Sequence, residues 1–399
     1  MQQIIVLLII MADRRHLTIR HLGPIKEADV ELGQVNLIIG LQGSGKSCVL
    51  KTACFCAWVE KRLELAQGAN GFAKGSTFID MLADYYKMQD YVWPDTYIEY
   101  ETKHVRFHYD HAQQEFSFSW KPGRWNYRRA KVSYVPADRN IVAAIPQWSK
   151  LSLDKNLLDF MGSWDQARKS LAIEENVLGL GLSYSYDKST NSDKIKLQNG
   201  RTLQLTASSS GIQSLLPMFV HLDYLTNGQY LKNGDLQSFE QKEENNKLMS
   251  SIYKHLYKKK QTATDDAPIN EIVTIDGFDY NFSEKKHAER FERISNHFLK
   301  RQYSEIFLEE PEDNLFPSTQ CQLINWILDA IKKHKDMLFM ATHSPYVLNQ
   351  LLKERPDGLE VFFTFPLEDG YGVRHLTEED SRLIYADGVD LFFNFEPFV

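Results

Sequence analysis

The chain has 399 residues, of which 43% are hydrophobic and 25% are charged, and these proportions are ordinary for a globular protein. Its formal net charge of −7 excludes a general electrostatic attraction to nucleic acid, so any such contact would need a local basic patch. The length suggests about two to three domains.

The chain begins with an apolar run, Ile4 to Met11, which is far shorter than the ~20 residues that a membrane helix needs. No basic segment precedes the run and no clear cleavage site of small residues follows it, which argues against a secretory signal. Two explanations stay open: translation begins at Met11, or residues 1–15 are a real N-terminal extension. We find no other candidate membrane segment, so a role in transport would require a separate membrane protein.

Alternating residues at 17–19 and 28–32, separated by the turn Gly23-Pro24, predict a β-hairpin. The hairpin leads into residues 35–39, an apolar and β-branched run that is typical of a buried strand. The residues from Cys48 to Leu65 carry apolar side chains at helical spacing. The segment between these two elements therefore joins a buried strand to a helix.

This joining segment, residues 40–47, reads G-L-Q-G-S-G-K-S and matches the phosphate-loop pattern. Its glycines allow successive backbone N–H groups to face a phosphate, and the following helix adds its positive N-terminal end. Lys46 can then reach the β- and γ-phosphates of a nucleotide, and Ser47 can bind Mg²⁺. A chance glycine turn would not explain the position between strand and helix. We predict a nucleotide site formed by Gly40, Gln42, Gly43, Ser44, Gly45, Lys46, Ser47 and Cys48.

The chain contains four cysteines, Cys48, Cys54, Cys56 and Cys321. Their spacing does not suit a metal site, so we predict reduced thiols in a hydrophobic core. Reduced thiols suit the cytoplasm, which is the expected location.

From Thr96 to Trp120 the hydrophobic period changes to two, which predicts antiparallel strands in a layer separate from the strand at residues 35–39. The next stretch, Lys121 to Lys131, mixes basic and aromatic residues, including Arg124, Arg128 and Arg129. Such a stretch can hold a nucleic-acid backbone, although it is more often a solvated loop anchored by its rings. Both interpretations stay open.

Residues 132–136 predict a buried strand that ends at Ala137-Asp138-Arg139, and residues 151–173 predict a helix. Asn199-Gly200 then marks a hairpin turn. This hairpin leads to a serine-rich N-cap at residues 208–211, before an apolar helix over residues 212–225.

Residues 227–302 differ in composition, being rich in Lys, Glu, Gln and Asn. Helices are predicted near residues 236–259 and 284–302, with the linker Gln261–Pro268 and a short strand at residues 271–275 between them. We predict an inserted helical segment. It is either a partner-binding surface or, as is commoner for this composition, a solvated spacer.

Two acidic residues, Glu309 and Glu310, follow directly on the apolar strand at residues 305–308. A Mg²⁺-nucleotide site requires such carboxylates, because one can hold the metal and the next can orient the attacking water. Pro311 ends the strand, and a helix is predicted over residues 318–334. The strand after that, residues 336–342, is followed by His343, which could contact a γ-phosphate or be a structural histidine.

Taken in order, these motifs resemble the ATPase head of ABC-type proteins, and most of all the SMC, RecF and OLD (overcoming lysogenisation defect) ATPases. Residues 40–47 match the Walker A loop, and residues 341–345 match the switch histidine. Residues 306–312, with Leu315 and Pro317, match Walker B and the D-loop in their OLD-like form, in which Glu replaces the usual metal-binding Asp. Residues 210–213, S-G-I-Q, resemble the signature motif S-G-G-Q. There is no clear Q-loop glutamine, and residues 137–139 only occupy a plausible place for that loop.

The resemblance implies an α/β P-loop fold with a mixed or parallel core sheet, an antiparallel β subdomain and a helical insertion. The expected segments are an extension (1–15), a first part of the head (16–226), the insertion (227–302), and a second part with the C-terminal tail (303–399). ATP and Mg²⁺ are the implied ligands. Ser47 and Glu309 would bind the metal, Glu310 would be the general base, His343 would sense the γ-phosphate, and Lys46 would bind phosphate.

The resemblance also implies a homodimer or higher oligomer in which ATP lies between two heads. Each head would contribute Ser210, Gly211 and Gln213 to nucleotide bound by the other. The sequence shows neither a long heptad arm nor an Asp-rich signature of a Toprim nuclease after Leu352, so nuclease chemistry is expected from another chain.

The expected function is that of an ATP-hydrolysing switch that acts on DNA or controls a nuclease or toxin partner, in phage defence or DNA repair. One alternative is the ATP-driving subunit of a transporter. The OLD-like sequence Glu-Glu-Pro-Glu and the altered signature motif argue against it. The other alternative is a nucleotide-gated scaffold with negligible hydrolysis, and the paired carboxylates of Glu309 and Glu310 argue against that.

Overall fold

The structure is a computed structural model, and it describes residues 15–69, 71–145, 153–171, 174–231, 239–257 and 271–398. Nearly all of the predicted N-terminal extension and the whole predicted linker Gln261–Pro268 lie outside these residues. Among the described residues, no helix is both long and apolar enough to cross a membrane.

Eleven strands of the described chain form one hydrogen-bonded sheet. In spatial order they are β6 (Glu115–Trp120), β5 (Val105–Asp110), β4 (Val92–Glu101), β1 (Arg15–Leu22), β2 (Ile25–Leu32), β17 (Gly370–His375), β16 (Leu359–Leu367), β3 (Val35–Gly40), β15 (Met337–Ala341), β14 (Tyr303–Glu309) and β7 (Ala130–Val135). Neighbouring strands from β16 to β7 are parallel, whereas those from β6 to β2 are antiparallel. The predicted α/β class with a mixed sheet is therefore confirmed.

Two details of this sheet differ from the prediction. The antiparallel strands β4 to β6 do not form a separate layer, because β1 pairs with β4 on one side and with β2 on the other. The hairpin of β1 and β2 is present, but β2 is not next to β3. The C-terminal strands β16 and β17 lie between them, with β16 parallel to β3 and β17 parallel to β2.

Nine helices of eight or more residues are described. They are α1 (Lys46–Ala66), α2 (Thr77–Tyr86), α3 (Lys155–Ser170), α4 (Ser210–Asp223), α5 (Phe239–Leu256), α6 (Lys285–Leu299), α7 (Pro317–Lys332), α8 (Pro345–Glu354) and α9 (Glu378–Tyr385). Shorter turns of helix lie at Gln89–Tyr91, Arg124–Asn126, Ala137–Asn140, Ile141–Ala144, Leu205–Ala207, Tyr224–Gly228, Gln229–Leu231 and Glu396–Phe398. All the helices predicted from apolar spacing are present, with shifted ends.

Hydrophobic cores cover both faces of the sheet, because successive side chains of a strand point to opposite faces. Leu37 and Ile39 of β3 pack in the core that α3, α4, α7 and α8 share. Ile38, between them, packs in the core formed by α1 and α2. Cys48, Cys54 and Cys56 are free and buried in this second core, as predicted. Cys321 is also free but only partly buried, so for this residue the predicted core position is wrong.

Two smaller units extend from the sheet. The first is a four-stranded sheet of β8 (Glu175–Asn176), β9 (Leu182–Asp187), β10 (Ser192–Leu197) and β11 (Thr202–Gln204), which contains the predicted hairpin around Asn199-Gly200. The second comprises α5, α6 and the hairpin of β12 (Glu271–Ile275) and β13 (Phe278–Phe282). It has its own core, with Met249, Phe291 and Phe298 buried at its centre.

The order of parallel strands brings several loops together. Strands β7, β14, β15, β3 and β16 all run in the same direction, so their carboxyl ends lie at one edge of the sheet. In open α/β sheets this edge is where ligands bind. The phosphate loop, the acidic residues after β14 and His343 after β15 therefore meet there.

Candidate active site

The phosphate loop turns sharply between β3 and α1, and two of its glycines are sterically required. Gly45 has a φ of 90°, and a Cβ added to it would lie 2.5 Å from Cδ1 of Ile25. Gly40 has a φ of 148°, and a Cβ there would lie 1.9 Å from Oγ1 of Thr364. Any other side chain would displace β2 or β16, so the loop conformation depends on both glycines.

Lys46 lies inside this loop. Its ammonium group donates to the carbonyl oxygens of Gly40 at 3.0 Å and Leu41 at 2.7 Å. Burial lowers the pKa of Lys46 to about 8, while the carboxylates of Glu310 and Glu312 partly oppose this shift. The side chain is therefore charged at neutral pH and is positioned to meet an anion at the loop.

A cavity of about 260 Å³ opens beside the loop. It is lined by residues from the β1–β2 turn, the phosphate loop and α1, the segment around α2 and the two later motifs. They are Pro24, Gln42, Gly43, Gly45, Lys46, Ser47, Cys48, Lys51, Tyr86, Lys87, Met88, Tyr91, Glu310 and His343. Six predicted loop residues thus share a cavity with Glu310 and His343, from sites about 260 to 300 positions away in the sequence.

Two predicted loop residues have other positions. Gly40 lines a second cavity of about 160 Å³, together with Leu41, Gln42, His343, Phe363, Leu391 and Phe392. Ser44 is buried, and its hydroxyl contacts the carbonyl oxygen of Leu41 at 2.6 Å and Oγ1 of Thr364 at 2.5 Å. Ser44 therefore fixes the loop to β16 through its side chain.

Glu309 and Glu310 lie at the end of β14 and differ in environment. Glu309 is buried, and its Oε1 lies 3.6 Å from Nζ of Lys51 on α1. Glu310 has a φ of 43°, which is uncommon for a residue with a side chain, and its N–H donates to the carbonyl oxygen of Ala341 at 2.9 Å. This backbone turn directs the Glu310 side chain into the cavity that Lys46 lines.

The electrostatics around Glu310 suit a proton acceptor. Burial raises its pKa, and the nearby carboxylates of Glu312 and Glu309 raise it further, while Lys46 opposes the shift. A carboxylate with a raised pKa is a stronger base, provided that it is still ionised at the working pH. Its Oε1 lies 3.6 Å from Nε2 of His343.

His343 is held in place through its backbone. Its N–H donates to Oε1 of Glu312 at 2.7 Å, and the next residue, Ser344, caps α8. Partial burial and the neighbouring charge of Lys46 lower the pKa of the imidazole. At neutral pH the ring is therefore neutral and can donate one hydrogen bond into the cavity.

The oxygen donors at the site fit Mg²⁺. Magnesium is usually held by one or two protein side chains, with phosphate and water oxygens completing the shell. Ser47 lines the cavity, whereas Glu309 lies at the end of β14, two strands from β3, where it contacts Lys51 and is not among the cavity-lining residues. The described residues contain no group of three or more acidic, His or Cys side chains that would form an all-protein metal cage.

The signature-like residues lie away from the cavity wall that the described residues form. Ser210, which is exposed, and Gly211 begin α4, and a Cβ on Gly211 would lie 2.9 Å from the carbonyl oxygen of Asn314. The side-chain amide of Gln213 donates to the carbonyl oxygens of Thr206 and Ser208 in the preceding loop. Ser209 occupies the N-cap position but makes no capping bond through its side chain, so the predicted serine cap is wrong in that respect.

The basic and aromatic stretch is largely engaged within the chain. The guanidinium of Arg124 lies 3.8 Å from the ring centre of Trp120 and donates to Oε1 of Gln67 at 2.7 Å. Arg129 donates to carbonyl oxygens at the end of α6, and burial lowers the pKa of both arginines. These contacts favour the ring-anchored loop over the nucleic-acid surface, because contacted arginines are less available to phosphates.

Sequence reasoning missed several residues around the site. Lys51 lies next to Glu309, Glu312 holds the backbone of His343, and Thr364 supports the phosphate loop from a C-terminal strand. Five residues along a helix place Lys51 about 140° around the axis from Lys46, so its position near the site does not follow from helical spacing. Nothing in the sequence signals that Thr364 contacts the loop, since that contact depends on which strand pairs with β3.

No protein-family model and no curated protein sequence matches the chain. Among solved structures it is similar to the SMC head domain from Thermotoga maritima, with 10% identity, a TM-score of 0.43, and 91% of this chain and 99% of that one covered. It is also similar to the Smc head of Pyrococcus furiosus bound to the C-terminal domain of ScpA, with 9% identity, a TM-score of 0.39, and 93% and 98% covered. A nucleotide-free ATP-binding cassette from an ABC transporter shares 12% identity, with a TM-score of 0.30 and 97% and 99% covered.

These structures are SMC heads and an ATP-binding cassette, the kinds of domain that the motifs resemble. All three TM-scores lie below 0.5, so these similarities carry no argument about the activity or the site of this chain. The roles of individual residues therefore rest on the geometry of the cavity.

Proposed function

We propose that the chain is an ATPase that binds ATP with Mg²⁺ at the phosphate loop and hydrolyses it. One observation carries this proposal. Lys46, Ser47, Glu310 and His343, which belong to three separate segments, line a single cavity at the carboxyl ends of the parallel strands. This set contains a cation for the phosphates, a hydroxyl for the metal, a base and a hydrogen-bond donor.

Each residue has a task in the proposed reaction. The N–H groups of the loop and Lys46 hold the β- and γ-phosphates, while Ser47 and Glu309 hold Mg²⁺, which neutralises charge that develops on the phosphate oxygens. Glu310 orients a water molecule and accepts its proton as the water oxygen bonds to the γ-phosphorus and the bond to ADP breaks. His343 donates a hydrogen bond to the γ-phosphate.

We further propose that two copies close face to face on ATP. Ser210, Gly211 and Gln213 lie on the surface that begins α4, apart from their own cavity, and would contact nucleotide held by the second copy. Closure would then depend on the γ-phosphate, so that hydrolysis opens the dimer.

The output of such a switch belongs to the same proposal. As the resemblance to OLD-like ATPases suggests, it would control a nuclease or toxin partner, or act on DNA, in phage defence or DNA repair in the cytoplasm. Exposed Ile272, on the face of the hairpin that points away from the core of the inserted unit, offers apolar contact area for a separate protein.

Replacing Lys46 with Ala tests the central part of this proposal. Loss of the phosphate-binding charge should abolish ATP binding, as measured by titration with a fluorescent ATP analogue, without unfolding the protein. Lys61→Ala is a matched control, because Lys61 lies on the same helix and its pKa is also lowered to about 8, but it does not line the cavity. Wild-type affinity in Lys46→Ala would exclude the proposed site.

A further inference from the structure

Arg139 is a fully buried cation between three parts of the site. It lies in the turn of helix Ala137–Asn140 that follows β7, and its relative exposure is 0%. Burying a guanidinium is unfavourable unless its N–H groups are hydrogen-bonded. The contacts of Arg139 therefore show what this charge is used for.

Four hydrogen bonds of Arg139 have backbone carbonyl oxygens as acceptors. Nε donates to Ser214 at 3.3 Å, Nη1 to Pro136 at 3.3 Å and to Glu309 at 2.9 Å, and Nη2 to Glu310 at 2.7 Å. The planar guanidinium thus joins β7, the end of β14 and α4. The guanidinium has five N–H donors in fixed directions and can serve four acceptors on three segments, whereas a lysine ammonium has only three donors and no fixed fork.

The bond to Glu310 acts on an unusual backbone. Glu310 has a left-handed φ of 43°, and its two peptide groups are held from opposite sides: its N–H by the carbonyl of Ala341 and its carbonyl by Arg139. Such a conformation persists only when its surroundings fix it. Removing the Arg139 bond frees the peptide that follows Glu310 and, with it, the direction of the carboxylate.

The bond to Ser214 connects the same guanidinium to the signature-like segment. Ser214 lies one turn beyond Ser210 on α4, and Gly211 on this turn packs against Asn314 of the loop that follows Glu310. A shift of the start of α4 would therefore move Arg139 and the Glu310 loop together.

We propose that Arg139 is a positioning residue for hydrolysis, which orients Glu310 and couples that orientation to the position of α4. This inference rests on the proposed ATPase function. Arg139 does not touch the nucleotide in this account, so its loss should affect turnover more than binding.

Arg139→Lys and Arg139→Met test the inference, with ATP affinity and turnover measured separately. A misplacement of about 1 Å can cost 10²-fold in rate, so Arg139→Met should lower kcat about 10²-fold, with Arg139→Lys between it and the wild type. The dissociation constant for ATP should change less than about threefold, since Arg139 makes no contact that stabilises the bound ATP itself. Wild-type kcat in Arg139→Lys would overturn the inference.

Arg168 provides the matched structural control. It is also buried, but it is paired with Asp165 and Asp193 and lies outside the cavity. Arg168→Met should lower the melting temperature and leave kcat of the folded protein unchanged. If both arginine variants lose stability alike and neither loses kcat, Arg139 is only structural. If Arg139→Met does not fold, Arg139→Lys replaces it in this comparison.

A double-mutant cycle tests the coupling to α4. Gly211→Ala should displace α4 from Asn314 and lower kcat, both through Arg139 and through the proposed contact of Gly211 with nucleotide on the second copy. Only the part that passes through Arg139 should disappear when Arg139 is already Met, so Gly211→Ala should lower kcat by a smaller factor in the Arg139→Met background than in the wild type. Losses that multiply would overturn the coupling. If wild type and Lys46→Ala show the same turnover, the proposed ATPase function fails and this inference falls with it. If wild type is active and Arg139→Lys matches it, only the inference fails.

Discussion

Raising the pH from 7 to 9 should weaken ATP binding about tenfold, because Lys46 loses its proton in this range. Burial lowers the pKa of Lys46 to about 8, so the protonated fraction falls from about nine tenths at pH 7 to about one tenth at pH 9. Only the charged form attracts the phosphates. A lysine with an ordinary pKa of 10.5 would stay charged throughout, and the affinity would not change.

The pH dependence of the unfolding free energy shows whether the loss of ATP affinity is caused by unfolding. A lysine whose folded pKa lies below its unfolded value binds fewer protons when folded, so between about pH 8 and pH 10.5 the free energy of unfolding contributed by Lys46 rises with pH. Affinity and stability should thus move in opposite directions.

Titration of a fluorescent ATP analogue at fixed Mg²⁺, from pH 7 to pH 9.5, provides the measurement. Lys61→Met is the control, since the pKa of Lys61 is also lowered to about 8 by burial and by neighbouring cations, but this residue does not line the cavity. Lys61→Met should still lose affinity for ATP about tenfold between pH 7 and pH 9. Lys46→Arg, if it binds ATP, should show an affinity that does not depend on pH. The assigned role of Lys46 would be refuted by a wild-type affinity that does not change with pH, or by a Lys46→Met protein that loses affinity as the wild type does.

Three further outcomes are expected. Gly45→Ala should abolish ATP binding and lower the unfolding free energy by roughly 1–2 kcal/mol for the left-handed backbone, plus the cost of the contact with Ile25. ATP titration measures the first effect and denaturant unfolding the second, and wild-type values in both would contradict the tight loop. Glu309→Gln should raise the Mg²⁺ concentration needed for half-maximal turnover, and an unchanged Mg²⁺ dependence would remove Glu309 from the metal site. If DNA is bound through Arg128, Arg128→Gln should lower the slope of log affinity against log salt by about 1, and an unchanged slope would exclude that contact.

The local elements of the fold could be predicted because their signals are local. A β-branched run such as residues 35–39 identifies a buried strand, and the phosphate-loop pattern fixes the turn after it by the need for glycine at 40 and 45. The same holds for Glu309 and Glu310, which follow an apolar strand directly. The convergence of Lys46, Ser47, Glu310 and His343 on one cavity followed from the parallel order of the strands, which the resemblance implied.

Long-range pairing could not be predicted in the same way. Strands β16 and β17 separate β3 from the β1–β2 hairpin, although more than three hundred residues lie between β3 and β16. The hydrophobic period of a strand shows which of its residues face a core, but it does not show which other strand pairs with it. The support that Thr364 gives to Ser44 was therefore invisible in the sequence, as was the burial of Arg139 among carbonyl groups.

Glu310→Gln separates ATP binding from hydrolysis at the proposed site, because it keeps the size and hydrogen bonding of the side chain and removes its ability to accept a proton. A general base contributes roughly 10²–10⁴-fold to a rate, so turnover should fall by this factor while ATP still binds with wild-type affinity. With ATP and Mg²⁺ the variant should accumulate as a closed dimer in sizing chromatography, with Lys46→Ala remaining at its nucleotide-free size. A Glu310→Gln protein that hydrolyses ATP at the wild-type rate, or keeps its nucleotide-free size with ATP bound, would contradict the account.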